Sequence, residues 1–151
     1  MHLPVYLDML HEAERTLADS FRKVADEHTS DAGIHYRCQN FAEQCDAHVE
    51  QLTPLARRYG KDNPEEPERL HPEGISEPRS GPAGLLRDLQ DLYMLASLVD
   101  ITWTLVGQAA RAVPDEELIE TVTACDDQTE TQLSWLRTQL STDAPQALVV
   151  G

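Results

Sequence analysis

Residues 61 to 84, KDNPEEPERLHPEGISEPRSGPAG, carry Pro64, Pro67, Pro72, Pro78 and Pro82 and separate two long stretches of helical periodicity. A helix cannot run through so many prolines, because each removes a backbone donor and clashes with the preceding turn. Each flanking stretch reads as two amphipathic helices joined by a tight turn. A connection this long can return the chain along a full helix length, so the expected architecture is a four-helix bundle with one long crossover between the second and third helices.

Length and charge narrow the alternatives. A chain of 151 residues, 40% of them hydrophobic, supports one core and not two. We therefore expect a single helical domain over 1 to 151, with a crossover at 61 to 84 and a C-terminal tail at 142 to 151. Twelve Lys and Arg against 27 Asp and Glu give a formal charge of -15, which repels nucleic acid and anionic membrane surfaces. The start MHLPVYLDMLHEAER lacks a basic n-region, and no stretch reads as the roughly 20 apolar residues of a membrane span. Cys38, Cys45 and Cys125 are an odd number in a helical chain, and they read as reduced, buried thiols of a soluble cytoplasmic protein.

In the first helix, 4 to 28, Tyr6, Leu10, Leu17, Phe21 and Val24 recur at helical spacing, with Pro4 in the first turn. TSDAG (29 to 33) supplies turn and capping residues. Ile34, Cys38, Phe41, Cys45, His48, Leu52 and Tyr59 then mark a second stripe that ends near Gly60. Pro54 interrupts it, so a kink or a separate last turn is expected there. The third helix opens after Pro82 and stops at Val113 and Pro114. From Leu92 to Ala110 its only charge is Asp100, the pattern of a helix covered on most sides. Asp115 is placed to cap the fourth helix, with Glu116 and Glu117 on its positive end. Beyond it, PQALVV reads as a short strand-like apolar peptide that docks on another protein or a neighbouring subunit, or else folds back on its own bundle; a protein contact is the expectation.

Two pairs of polar residues fall where a bundle buries its side chains. Glu14 lies on the apolar stripe of the first helix, between Leu10 and Leu17, and a carboxylate there needs a partner. In an antiparallel hairpin that turns near residue 31, His48 is at the level of Glu14 to within about one helical turn. Cys45 shares the face of His48. In the second hairpin Asp100 meets the level of Asp126, and of Asp127 equally well. Glu14, His48, Asp100 and Asp126 are thus a candidate metal set at the bundle midplane. The opposing account is a hydrogen-bonded Glu14–His48 core pair, an Asp100 that reaches solvent or bonds Trp103 or Arg111, and a solvated acidic face on the last helix. Cys45 and Cys125 also admit a thiol redox reading.

The segments LHEAERTL and FAEQCDAHVEQL, together with the long connection, resemble the ferritin-like superfamily, in particular its small bacterial stress-associated members. The resemblance implies that Glu14 and His48 stand at metal-ligand positions. The departures are equally specific. Cys45 occupies the Glu position of the second-helix pair, Asp100 stands for a Glu on the third helix, and no histidine follows His71, whereas the dimetal site takes a Glu-x-x-His from each of two helices. Two functions follow. One is a non-catalytic interaction or scaffold module with a degenerate metal site, acting as a homo-oligomer or on a protein partner through the third helix or the C-terminal tail. The other is a non-haem Fe, Mn or Zn protein that sequesters iron or performs peroxide or oxygen chemistry.

Overall fold

A computed structural model describes residues 1 to 60 and 73 to 150. Four long helices account for most of them: α1 (Leu3–Glu27), α2 (Ala32–Tyr59), α3 (Gly81–Ala112) and α4 (Glu116–Pro145). Among the described residues there is no strand, and the architecture is an all-α four-helix bundle. Most of the bridge, 61 to 72, lies outside the described residues.

Local chemistry sets the helix ends. Pro4 and Pro82 sit in the first turns of α1 and α3, where a missing amide hydrogen costs nothing. The Asp31 side chain accepts from the Ile34 amide at 3.2 Å, and that of Asp115 accepts from the Leu118 amide at 3.1 Å. Asp115 also accepts from Tyr59 and Arg58 at the end of α2, and Arg58 reaches Glu117. These contacts tie the end of α2 to the α3/α4 turn. At the other end, His28 of the α1/α2 turn meets Asp88 in the second turn of α3.

α1 packs on α2 and α3, and α4 packs on α3 and more lightly on α2. Leu10, Leu17, Phe21, Ile34, Phe41, Leu52, Leu89, Leu92, Trp103 and Leu118 form one continuous core. Phe41 joins three helices, with its ring 5.4 Å from Phe21 and 5.6 Å from Trp135. Gly107 lets α4 approach closely, since a Cβ there would stand 3.0 Å from Val122 Cγ1.

Four expectations need correction. Tyr6 is exposed, because Leu3, Leu7 and Leu10 hold the inner line of α1 at its start. Pro54 stands inside an unbroken α2, so the last turn is not separate. α3, contrary to the expectation that no stretch is, proves long and apolar enough by length and composition to cross a membrane, although 44% of its apolar window is buried inside the bundle. The C-terminal residues are not strand-like. α4 continues through Pro145 into a π-helical turn, Gln146–Val150, whose wider winding suits a proline that cannot donate, and Ala147 is buried.

Candidate functional site

The first hairpin brings its two polar residues to one level. Glu14 on α1 and His48 on α2 meet in the core, both fully buried, with His48 Nδ1 against Glu14 Oε2. The second ring nitrogen, Nε2, lies 2.7 Å from Gln128 Oε1 on α4. With both nitrogens against oxygens, the arrangement suits an imidazolium that donates twice, once to a carboxylate. Burial lowers the His48 pKa, but the neighbouring Cys125 sulfur and the hydrogen bond and charge of Glu14 outweigh it and raise it to about 10. Burial also raises Glu14, against the hydrogen bond and charge of His48. The two groups hold a proton between them more tightly than either holds one in water.

Trp103 of α3 completes this centre. Its ring stands edge-on to His48, 6.1 Å between centroids, and its indole is near enough to Glu14 to favour the ionised carboxyl. The geometry still falls short of a hydrogen bond, and Glu14 Oε1 and Trp103 Nε1 are both buried without a partner. Glutamines surround the thiols: Gln132 lies against Cys45 Sγ at 3.8 Å and donates to Gln44, while Cys125 faces Gln51 at 3.6 Å. Sequence reasoning missed Gln128, Gln132 and Trp103 as members of the centre. Gln128 and Gln132 follow Cys125 by three and seven on one face of α4, which is the signal that would have found them.

The second hairpin brings Asp100 and Asp126 together and adds Glu130, one turn beyond Asp126. One oxygen from each of the three lies within 4.8 Å of the others. Asp100 Oδ1 and Asp126 Oδ1 are buried and unpartnered. Asp126 is pushed up to about 7, first by burial and then by the hydrogen bond and charge of Asp100, with Glu130 and Asp127 adding to it. Two carboxylates this close repel each other unless a proton or a cation lies between them. Asp100 therefore meets neither Trp103 nor Arg111, whose guanidinium lies against the Gly107 carbonyl.

The four candidate ligands form two pairs and not one set. Among the described residues, the group of three or more potential ligands that comes together is Asp100, Asp126 and Glu130, without Glu14 or His48. His48 has both nitrogens occupied. No family model, no curated protein and no solved structure matches the chain.

The thiols are poorly placed for redox work. Burial and the Asp31 charge push Cys38 up to about 12, and burial with the Glu14 charge raises Cys45 well above its ordinary value. All three cysteines are free and buried. We expect iodoacetamide at neutral pH to label them in native protein orders of magnitude more slowly than in denaturant. Rapid labelling of native Cys45, read by mass spectrometry, would revive the redox reading.

Proposed function

We propose that the chain is a non-catalytic interaction module built on a ferritin-like bundle, in which a polar core pair stands where a metal would be ligated. The observation that carries this reading is the saturation of His48, whose Nδ1 and Nε2 both face protein oxygens. A metal ligand needs a free imidazole lone pair, and here none is left over. The ferritin-like assignment is supported by the helix ends. Contacts put the end of α2 at the α3/α4 turn and the start of α3 at the α1/α2 turn, so the linking chain has a full helix length to cover.

The interaction half rests on exposed apolar side chains. Met94, Ile101 and Leu105 on α3 and Leu148, Val149 and Val150 at the C-terminus are open to solvent. A charge of -15 favours a protein partner over nucleic acid or an anionic membrane. Three free thiols with raised or buried sulfurs suit a reducing compartment, the cytoplasm.

A second reading has an observation of its own. Three converging carboxylates with two buried, unpartnered oxygens suit a hard cation, Mn, Mg or Ca, better than they suit zinc. Elemental analysis of untagged protein purified without chelator separates the two. We expect substoichiometric Fe, Mn and Zn, unchanged in Glu14→Ala and His48→Ala, and no Fe(II) uptake. Stoichiometric metal lost in both variants overturns the interaction reading. Metal lost in Asp126→Asn alone establishes the carboxylate site instead.

A further inference from the structure

α3 presents a second, outward face with its own periodicity. Arg87, Asp91, Met94, Leu98, Ile101, Leu105, Gln108 and Ala112 follow one another at alternating intervals of three and four, the spacing of a coiled-coil seam. Met94, Ile101 and Leu105 on it are 65%, 51% and 49% exposed, on a helix whose opposite side is already packed in the core. A seam of this kind on a folded bundle is built to be covered by another helix.

We propose that the cover is α3 of a second copy, laid antiparallel about a two-fold axis between Leu98 and Ile101. The inference rests on the interaction reading and names its partner. Under that axis Leu98 meets Ile101 of the copy, Met94 meets Leu105, Asp91 meets Gln108 and Arg87 meets Ala112. The four central residues, Met94, Leu98, Ile101 and Leu105, each find an apolar partner, and no like charges oppose each other. A parallel pairing would set Asp91 against Asp91 and Arg87 against Arg87. The interface is isologous, so one set of residues serves both copies.

Three further features fit. In a molecule of charge -15 the stretch from Leu92 to Ala110 has Asp100 as its only charge, and that carboxyl turns to Asp126 and away from the seam. Two copies therefore approach along their least repulsive face. The flanking hydroxyls are already satisfied: Ser97 donates to the Tyr93 carbonyl at 2.7 Å, Thr102 to Leu98 at 2.7 Å and Thr104 to Asp100 at 3.2 Å. Covering them leaves no donor stranded. Finally, an opening of about 410 Å³, apolar along Ile75, Met94, Leu95 and Leu98 with Glu73 and Asp91 at its edge, lies at the level where Leu105 of the copy arrives.

Sedimentation equilibrium of the full chain tests this. We expect a dimer that tightens as salt screens the shared negative charge. Ile101→Glu, at an exposed position that leaves helicity unchanged by circular dichroism, should weaken it roughly 100-fold by placing two charges in the seam. Leu148→Glu at the C-terminus should not. Direction is read by disulfide capture with oxidised glutathione: Met94→Cys mixed with Leu105→Cys should cross-link, and neither alone should. A monomer at every concentration, a dimer indifferent to Ile101→Glu, or capture by the single variants alone overturns the proposal. None of these outcomes touches the metal content, on which the interaction reading itself stands or falls.

Discussion

His48→Leu is expected to cost about 3–5 kcal/mol of folding stability and to lower the melting temperature by on the order of 10 °C. Removing the imidazole leaves the Glu14 carboxyl fully buried with no cation and one oxygen already orphaned. It must then stay charged without compensation or take up a proton, and both are costly. The double variant Glu14→Leu, His48→Leu should recover most of the loss, because a buried pair replaced by packed hydrocarbon is neutral or better. The cycle of the two single variants and the double variant isolates the coupling.

The same pair gives wild-type stability a definite slope with pH. The unfolded imidazole releases its proton near 6.5, whereas the folded one keeps it to about 10. Between those values the folded chain binds more protons, so stability falls as pH rises. The contribution is whole below pH 6.5 and gone above about 10. The raised Glu14 acts in the same sense at lower pH. Chemical denaturation across this window should show the decline in wild type and a shallower one in the double variant, where Asp126, Cys38 and Cys45, raised in the same sense, still contribute. A flat profile in wild type, or a His48→Leu protein as stable as its parent, would sink the account.

Both polar pairs were legible in the sequence for one reason. A tight antiparallel turn fixes which residues of two helices share a level, and an acidic residue on an apolar stripe marks where a partner is needed. That is enough to bring Glu14 to His48 and Asp100 to Asp126. It does not fix how the two hairpins are rotated against each other. So the meeting of Trp103 with Glu14 and His48, the reach of Gln128 across to α2, and the separation of the four residues into two pairs all escaped it. The C-terminus misled for a different reason. Proline forbids its own hydrogen bond but not the helix, and a wide turn with Ala147 buried continued the winding.

Asp88 was missed because LRDLQDL reads as an ordinary amphipathic turn, with Asp88 and Asp91 alike on its polar side. The structure distinguishes them sharply. Asp88 is fully buried, and its carboxylate accepts from the Arg79 amide and guanidinium and meets His28 Nε2, each at 2.9 Å. It ties together the α1/α2 turn, the start of α3 and the segment before it. That segment is pressed on α1: the Ile75 amide donates to Ser20 Oγ, Lys23 donates to the Ile75 carbonyl, and a Cβ on Gly74 would stand 2.7 Å from Thr16 Cγ2. Asp88→Ala strands the buried imidazole and the Arg79 amide, and we expect a loss of about 3 kcal/mol. The half-exposed Arg79 guanidinium contributes little to that figure, since water and Asp91 receive it. Asp88→Asn, which keeps an acceptor oxygen, should fall between the two. The local consequence is the more telling one. The amides of Ile75 and Arg79 should exchange hydrogen much faster in Asp88→Ala while those of the α2 core around Phe41 keep their protection, because the clamp opens before the bundle does. Equal acceleration everywhere would mean that Asp88 supports the whole fold and not the return of the chain onto α1.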